Sequence, residues 1–298
     1  MANSRHNASI QNLGDAGPAV VRASGPAAMT DTTSRYPIPT SPAETARLRM
    51  QADAMAPDTG VLLDRIGVAA GWRCLDLACG CGGITDLLAA RVGGQGRVLG
   101  LDRDAALLAA ARDWAAGLGL ASVAFAEADV RATGQPRASF DLVHMRFILS
   151  TAGHADATLD EALALVRPGG VLVAQEPDIA PLCCYPRHPA WDRLKGLLEG
   201  LFCHEPTSLW ADGLYQRFLD LGLEDVQYRP FVAGFTSAHP MVDYMPTTIG
   251  SLAEVFVEKG MISPQELERT VAACRAHLHD PRTVSTSYMV AQVWGRKP

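Results

Sequence analysis

The chain has 298 residues, 48% of them hydrophobic and 19% charged, with a formal net charge of −6. That length allows one large domain or two ordinary ones, and no run approaches the roughly 18 unbroken apolar residues of a membrane span. The N-terminus lacks the basic start and apolar core of a secretory signal, so the expected location is cytoplasmic with no membrane partner. The acidic balance and the absence of a clustered basic patch exclude a phosphate-tracking surface, and no nucleic-acid partner is expected. Of 26 basic residues only Lys195, Lys259 and Lys297 are lysines. Seven cysteines, an odd number lying in or beside apolar runs, read as reduced thiols rather than a disulfide framework.

Residues 1–35 mix Ala, Gly, Ser, Asn and Thr without period and are expected to form a flexible arm. Ser41-Pro42-Ala43-Glu44 is a capping box with proline at the first helical position. It predicts a helix over 45–55, followed by a second over 58–66 that Gly67 ends; together these make an N-terminal helical cap, 36–70. From 71 to 178 short apolar runs (72–77, 96–101, 122–126, 140–145, 171–175) alternate with helical stretches (83–92, 104–118, 155–166). Such βαβ alternation demands a mostly parallel, doubly wound sheet with helices on both faces. Beyond 178 the pattern predicts helices over 191–202 and 214–221 and a strand over 225–231. Two further helices are predicted within 239–279, the second opened by Ser263-Pro264, and a last strand over 284–293. The expected fold is therefore α/β, Rossmann-like and seven-stranded. Its C-terminal part, 179–298, carries a helical lid at about 239–279 before the final strand.

Four signals sit at the ends of the predicted strands. Asp76 ends the first, directly before the loop containing Ala78, Gly80, Gly82 and Gly83. Glycines there permit tight turning and close backbone approach to a ligand over a helix N-terminus. A dinucleotide loop would place Gly or Ala at position 85, which is Thr85, and a pyrophosphate would not favour the Asp76 carboxylate. The expected ligand carries positive charge. Asp102 ends the second strand, placed to accept from ribose hydroxyls, and Asp129-Val130 follows the third, where an acid could accept from an adenine amino group. Arg167-Pro168-Gly169-Gly170 turns into the fifth strand.

In the order and spacing of these motifs the chain resembles class I S-adenosylmethionine-dependent methyltransferases over about residues 36–178. The resemblance implies S-adenosylmethionine as cofactor, bound by Asp76, Ala78, Gly80, Gly82, Asp102, Asp129 and Val130. It places the Met145 backbone carbonyl against the ligand's amino group and Arg103 beside the adenine or ribose. Ala78 stands where the family commonly has glycine; a methyl group costs little there if φ stays negative. Tyr36 and Gln51 are candidates to close the pocket from above.

Methyl transfer from a sulfonium is an in-line displacement, so holding the partners collinear and dry is the main requirement. A base within hydrogen-bond reach helps a hydroxyl or acidic carbon acceptor. The candidate catalytic residues are His144 and Arg146 at the end of the fourth strand and Glu176 after the fifth. His144 reads rather more readily as a hydrogen-bonded structural residue, and Arg146 is expected to contact a ligand carboxylate or the acceptor, or to pair with an acid such as Glu176. Tyr185, His188, Tyr244 and Met245 are candidate substrate contacts for a small, largely apolar acceptor, with core packing as the alternative for each. No metal is expected, because Cys79-x-Cys81 and His277-x-His279 have the wrong spacing. The missing Asn/Asp-Pro-Pro-Tyr/Phe motif argues against amino groups of nucleic acid, and oxygen or carbon is preferred to nitrogen as the acceptor atom. A cofactor-binding protein that catalyses cyclisation, or a non-catalytic binding module, are the alternatives, and a homodimer is compatible with the sequence.

Overall fold

The structure is a computed structural model, and it describes residues 40–202 and 210–298. Tyr36 and the 1–35 arm lie outside the described residues. Helix α1 (Pro42–Ile66) starts as the capping box predicts: the Glu44 N–H donates to Ser41 Oγ at 3.1 Å, and Gly67 at φ +77° closes the other end. The expected break near Pro57 is absent. One 25-residue helix runs through it, because Ala52, Met55, Leu62, Leu63 and Ile66 form a single buried stripe across the proline. A proline inside a helix costs about 3 kcal/mol, and complete burial of Leu62 and Leu63 contributes roughly 1.5–3 kcal/mol each.

The chain then alternates through β1 (Arg73–Leu77), α2 (Thr85–Val92), β2 (Arg97–Asp102), α3 (Ala105–Gly117), β3 (Val123–Glu127), β4 (Phe140–Arg146), α4 (Ala155–Leu165) and β5 (Val166–Asp178). After β6 (Cys184–Tyr185), α5 (Pro189–Phe202), α6 (Ala211–Asp220), β7 (Glu224–Phe231) and β8 (Gly234–Thr236) come α7 (Tyr244–Ser251), α8 (Ala253–Glu258) and α9 (Pro264–Leu278), then β9 (Val284–Thr286) and β10 (Met289–Arg296). The main sheet has seven strands in the order β3-β2-β1-β4-β5-β10-β7. Strand β10 alone is antiparallel to its neighbours. Leu62, Leu63, Ile84 and Leu88 of the α1 and α2 region cover one face, and Leu159, Ala162, Leu214 and Phe218 of α4 and α6 cover the other.

The predicted last strand is really two. Ser287 and Tyr288 separate β9 from β10, and β9 joins β6 and β8 in a small antiparallel sheet, β6-β9-β8. The 239–279 stretch folds into three helices rather than two. They pack with α5 around Trp191, Leu194, Ile249, Leu252, Phe256, Cys274 and Leu278, an apolar cluster separate from the two that flank the sheet. The cover beside the crevice thus includes α5 as well as the expected segment.

Candidate functional site

The strand order reverses between β1 and β4, each paired to a different neighbour of the chain. A crevice at the carboxyl ends of the strands is where such sheets bind ligands. The loop from β1 to α2 supplies its floor. Gly82 has φ +90°, and a Cβ there would meet Thr85 Oγ1 at 3.2 Å and Ala111 Cβ at 3.5 Å, so the chain must approach α3 closely. Ala78, expected at negative φ, lies at φ +59°. An L-residue in the left-handed region costs roughly 1–2 kcal/mol, so the alanine that replaces the family's glycine carries strain at the crevice floor.

Asp102 ties the loop down. Its Oδ2 accepts the Gly80 N–H at 2.8 Å, and its Oδ1 accepts the Asp104 N–H at 3.0 Å. Burial raises its pKa from the ordinary carboxylate value while these backbone donors oppose the rise. Asp104 caps α3 by accepting from the N–H groups of Ala106 and Leu107 and from the Thr40 hydroxyl. Arg103, beside it, is exposed. Asp129 accepts from Arg131 with both of its oxygens, from Nε to Oδ1 at 3.1 Å and from Nη2 to Oδ2 at 2.8 Å. These bonds hold the Asp129 pKa below the usual range. Val130 packs against the core cluster that contains Leu101 and Met145. The Met145 side chain is wholly buried in that cluster, and its backbone lies in register between Leu77 of β1 and Ala174 of β5.

Asp76 and His144 face each other across β1 and β4 in direct register. His144 Nδ1 lies 3.0 Å from Asp76 Oδ1, and its Nε2 lies 2.8 Å from Gln175 Nε2. The sense of every bond follows from one fixed donor. Arg229 can only donate, and its Nη1 meets Gln292 Oε1 at 2.7 Å. Gln292 Nε2 therefore donates to Gln175 Oε1 at 2.9 Å, and Gln175 Nε2 donates to His144 Nε2. His144 must carry its proton on Nδ1 and donate it to Asp76. The far end of this wire is fastened by Asp58 of α1, which pairs with Arg229. Burial pushes the His144 pKa down, opposed by Asp76. The ring is neutral with both nitrogens engaged, an arrangement that leaves no lone pair for an acceptor's proton.

Glu176 is likewise committed. Its Oε1 accepts the N–H groups of Ile148 at 3.1 Å and Leu149 at 3.0 Å, and its Oε2 accepts the Ser150 N–H at 3.1 Å and hydroxyl at 2.6 Å. Four donors fill its four lone-pair sites and hold the loop after β4. Burial raises its pKa from 4.5 to about 7. Of the three partners open to Arg146 in the sequence, Glu176 is not the one it pairs with among the described residues. Arg146 instead lies against Gly83, where a Cβ would come within 2.8 Å of its Nη2, and its guanidinium sits 5.7 Å from the Phe147 ring centre. Its Nη1 is shielded from solvent and has no hydrogen-bond partner among the described residues.

The four candidate substrate contacts divide. Tyr244 reaches the crevice, where Gln51 Nε2 donates to its hydroxyl at 2.8 Å. Tyr185 stands on the small sheet and is 58% exposed. His188 accepts the Ala190 N–H at 3.2 Å and stacks on His277 at 4.5 Å. Met245 is buried inside the helical cover. Tyr288, Gln175, Gln292 and Arg229 went unnoticed in the sequence. The usable signal was a glutamine within each of two otherwise apolar strands, since a buried amide needs partners. Burial raises the Cys79 and Cys81 thiols and pushes Cys74 up to about 12, which keeps them protonated.

The methyltransferase domain family matches residues 69–208. Trans-aconitate 2-methyltransferase of Paracidovorax citrulli is 37% identical over 118 residues, 39% of this chain and 43% of that protein. Ubiquinone/menaquinone biosynthesis C-methyltransferase UbiE of Methylococcus capsulatus is 37% identical over 117 residues, 39% of this chain and 47% of that one. The chain thus spans less than half the length of these curated relatives. Among solved structures, a methyltransferase of Bacillus halodurans superposes with a TM-score of 0.54 at 17% identity, over 80% of this chain and 98% of that one. Residues 69–208 thus match a methyltransferase domain, and the chain shares the fold of that solved structure.

Proposed function

We propose that this protein transfers the methyl group of S-adenosylmethionine to an oxygen or carbon nucleophile of a small, largely apolar acceptor, a specialised metabolite, in the cytoplasm. The observation that carries the reading is the crevice at the β1/β4 reversal, where Asp76, the glycine loop and Asp102 converge on one floor. The residues fit the cofactor's chemistry: two carboxylates flank a backbone cradle, which suits a cationic nucleoside and repels a pyrophosphate. When bound, the cofactor supplies an electrophilic methyl group on a positively charged sulfur.

The chain's own residues then have separable tasks. Asp102 is placed to accept from ribose hydroxyls while its bonds to the Gly80 and Asp104 amides keep the loop in shape. Asp76, oriented by His144, offers its second carboxylate oxygen to the cationic end of the ligand. The cover formed by α5, α7, α8 and α9 shields the crevice, and dry, aligned reactants gain on the order of 7–11 kcal/mol from positioning. The test is incubation with methyl-labelled S-adenosylmethionine and a panel of phenols, carboxylic acids and acidic carbon compounds. The reading expects label in a product heavier by one methylene unit. Cofactor binding with no transfer to any member, in the face of a reaction that leaves mass unchanged, would defeat it.

A further inference from the structure

On the α1 face of the sheet, above the wire that ends at Asp76, four side chains come together that the cofactor roles above do not use. Gln51 of α1 donates its two amide hydrogens to the hydroxyls of Tyr244 and Tyr288, and those hydroxyls are 3.2 Å apart. The donor count is informative. The three groups hold four hydrogens and make three bonds among themselves, which leaves one phenolic O–H unspent. Burial raises the Tyr288 pKa well above its ordinary value, so that hydroxyl stays protonated and donates. Tyr288 packs edge-on to Phe147 at 5.5 Å, and Phe147 carries the Arg146 guanidinium over its ring.

Arg146 is the unusual member. A shielded guanidinium N–H without an acceptor is costly, and no hydrogen bond among the described residues joins the Arg146 Nη1 to Asp76, whose Oδ1 accepts from His144. The site therefore holds a guanidinium N–H without an acceptor and an unspent phenolic O–H on residues that both meet the Phe147 ring. Fork-shaped donors of this kind match a carboxylate, whose two oxygens take both. The donors come from β4 and from the segment between β9 and β10, and Tyr244 comes from the helical cover, so the anion would lie on the cover side of the crevice rather than over the glycine loop alone.

We propose that Arg146, with the Tyr244–Tyr288–Gln51 triad, forms a carboxylate-binding subsite for the acceptor, so that the acceptor is an organic acid. This rests on the methyltransferase reading above, and the cofactor's own carboxylate is the competing occupant. The experiment is calorimetric titration of the protein saturated with S-adenosylhomocysteine, using carboxylic acids paired with their amides: 4-hydroxybenzoate, cinnamate, trans-aconitate and malonate. At least one acid should bind about tenfold or more tightly than its amide, as a charge-assisted pair implies. Arg146→Gln should abolish that preference and Tyr288→Phe should reduce it, with S-adenosylhomocysteine affinity changed by less than about threefold, which also certifies that the variants fold.

Two results overturn the proposal. One is a panel in which no acid is preferred to its amide. The other is an Arg146→Gln variant that loses affinity for S-adenosylhomocysteine but not for 5′-methylthioadenosine, which lacks the carboxylate; Arg146 would then hold the cofactor. Failure of the wild-type protein to bind S-adenosylhomocysteine at all is a different result, and it refutes the methyltransferase reading itself.

Discussion

Replacing His144 by leucine probes the wire from Arg229 to Asp76. In the wild type every bond points the same way, and His144 both receives from Gln175 and donates to Asp76. Leucine fills much of the space but leaves the Gln175 N–H and one Asp76 oxygen without partners in a fully buried place. Each orphaned group costs about 1–3 kcal/mol, and more for the charged one, so the loss should be about 3–5 kcal/mol. His144→Asn is the informative contrast. Its amide can occupy the Nδ1 position and still donate to Asp76, leaving the Gln175 group alone unpaired, so the expected loss is about 1–3 kcal/mol. Urea denaturation measures both. Titration with S-adenosylhomocysteine separates positioning from stability: the leucine variant should bind about tenfold or more weakly and the asparagine variant within about threefold of wild type. Equal affinities in the two variants would show that His144 does not orient Asp76, and a leucine variant destabilised by less than about 1 kcal/mol would refute the wire.

Other consequences follow from the same geometry. Ala78→Gly removes left-handed strain of roughly 1–2 kcal/mol against an unfolded-state entropy cost of about 0.5–1 kcal/mol, so the urea midpoint should rise slightly; a marked fall would contradict the strain at φ +59°. Glu176 titrates near 7 when folded against 4.5 for the ordinary group. Between those values the folded state binds the extra proton, so this group makes stability fall as pH rises, by up to about 1.4 kcal/mol per pH unit. Glu176→Gln should flatten the stability profile from pH 4.5 to 7 relative to wild type, and parallel profiles would argue against the raised value. Asp102→Ala removes the proposed ribose acceptor and both loop anchors, with an expected loss of S-adenosylhomocysteine affinity of about tenfold or more; unchanged affinity would contradict the ribose role.

Much of the core was legible because local signals and burial agree there. The 72–77 and 96–101 runs became β1 and β2 within a residue or so of their expected ends, and the capping boxes at Ser41 and Ser263 start α1 and α9. The expected break at Pro57 failed because a continuous buried stripe outweighs a local breaker. The split of the last strand was hidden because Ser287 and Tyr288 interrupt a run whose period stays extended on either side. Among site residues, Asp76 and Asp102 were readable from strand ends and a glycine loop, which are features of sequence order. The partners of His144 and Glu176 were not, since they come from segments 26 to 68 positions away. Only the register of five strands reveals that these two side chains are saturated while Arg146 is not.

The most direct test of the central claim is isothermal titration of the full chain with S-adenosylmethionine, with Asp102→Ala as control. The account predicts saturable binding at one site per chain, weakened about tenfold or more in the variant. Absence of binding to the wild-type protein, or equal binding by the two, would contradict it.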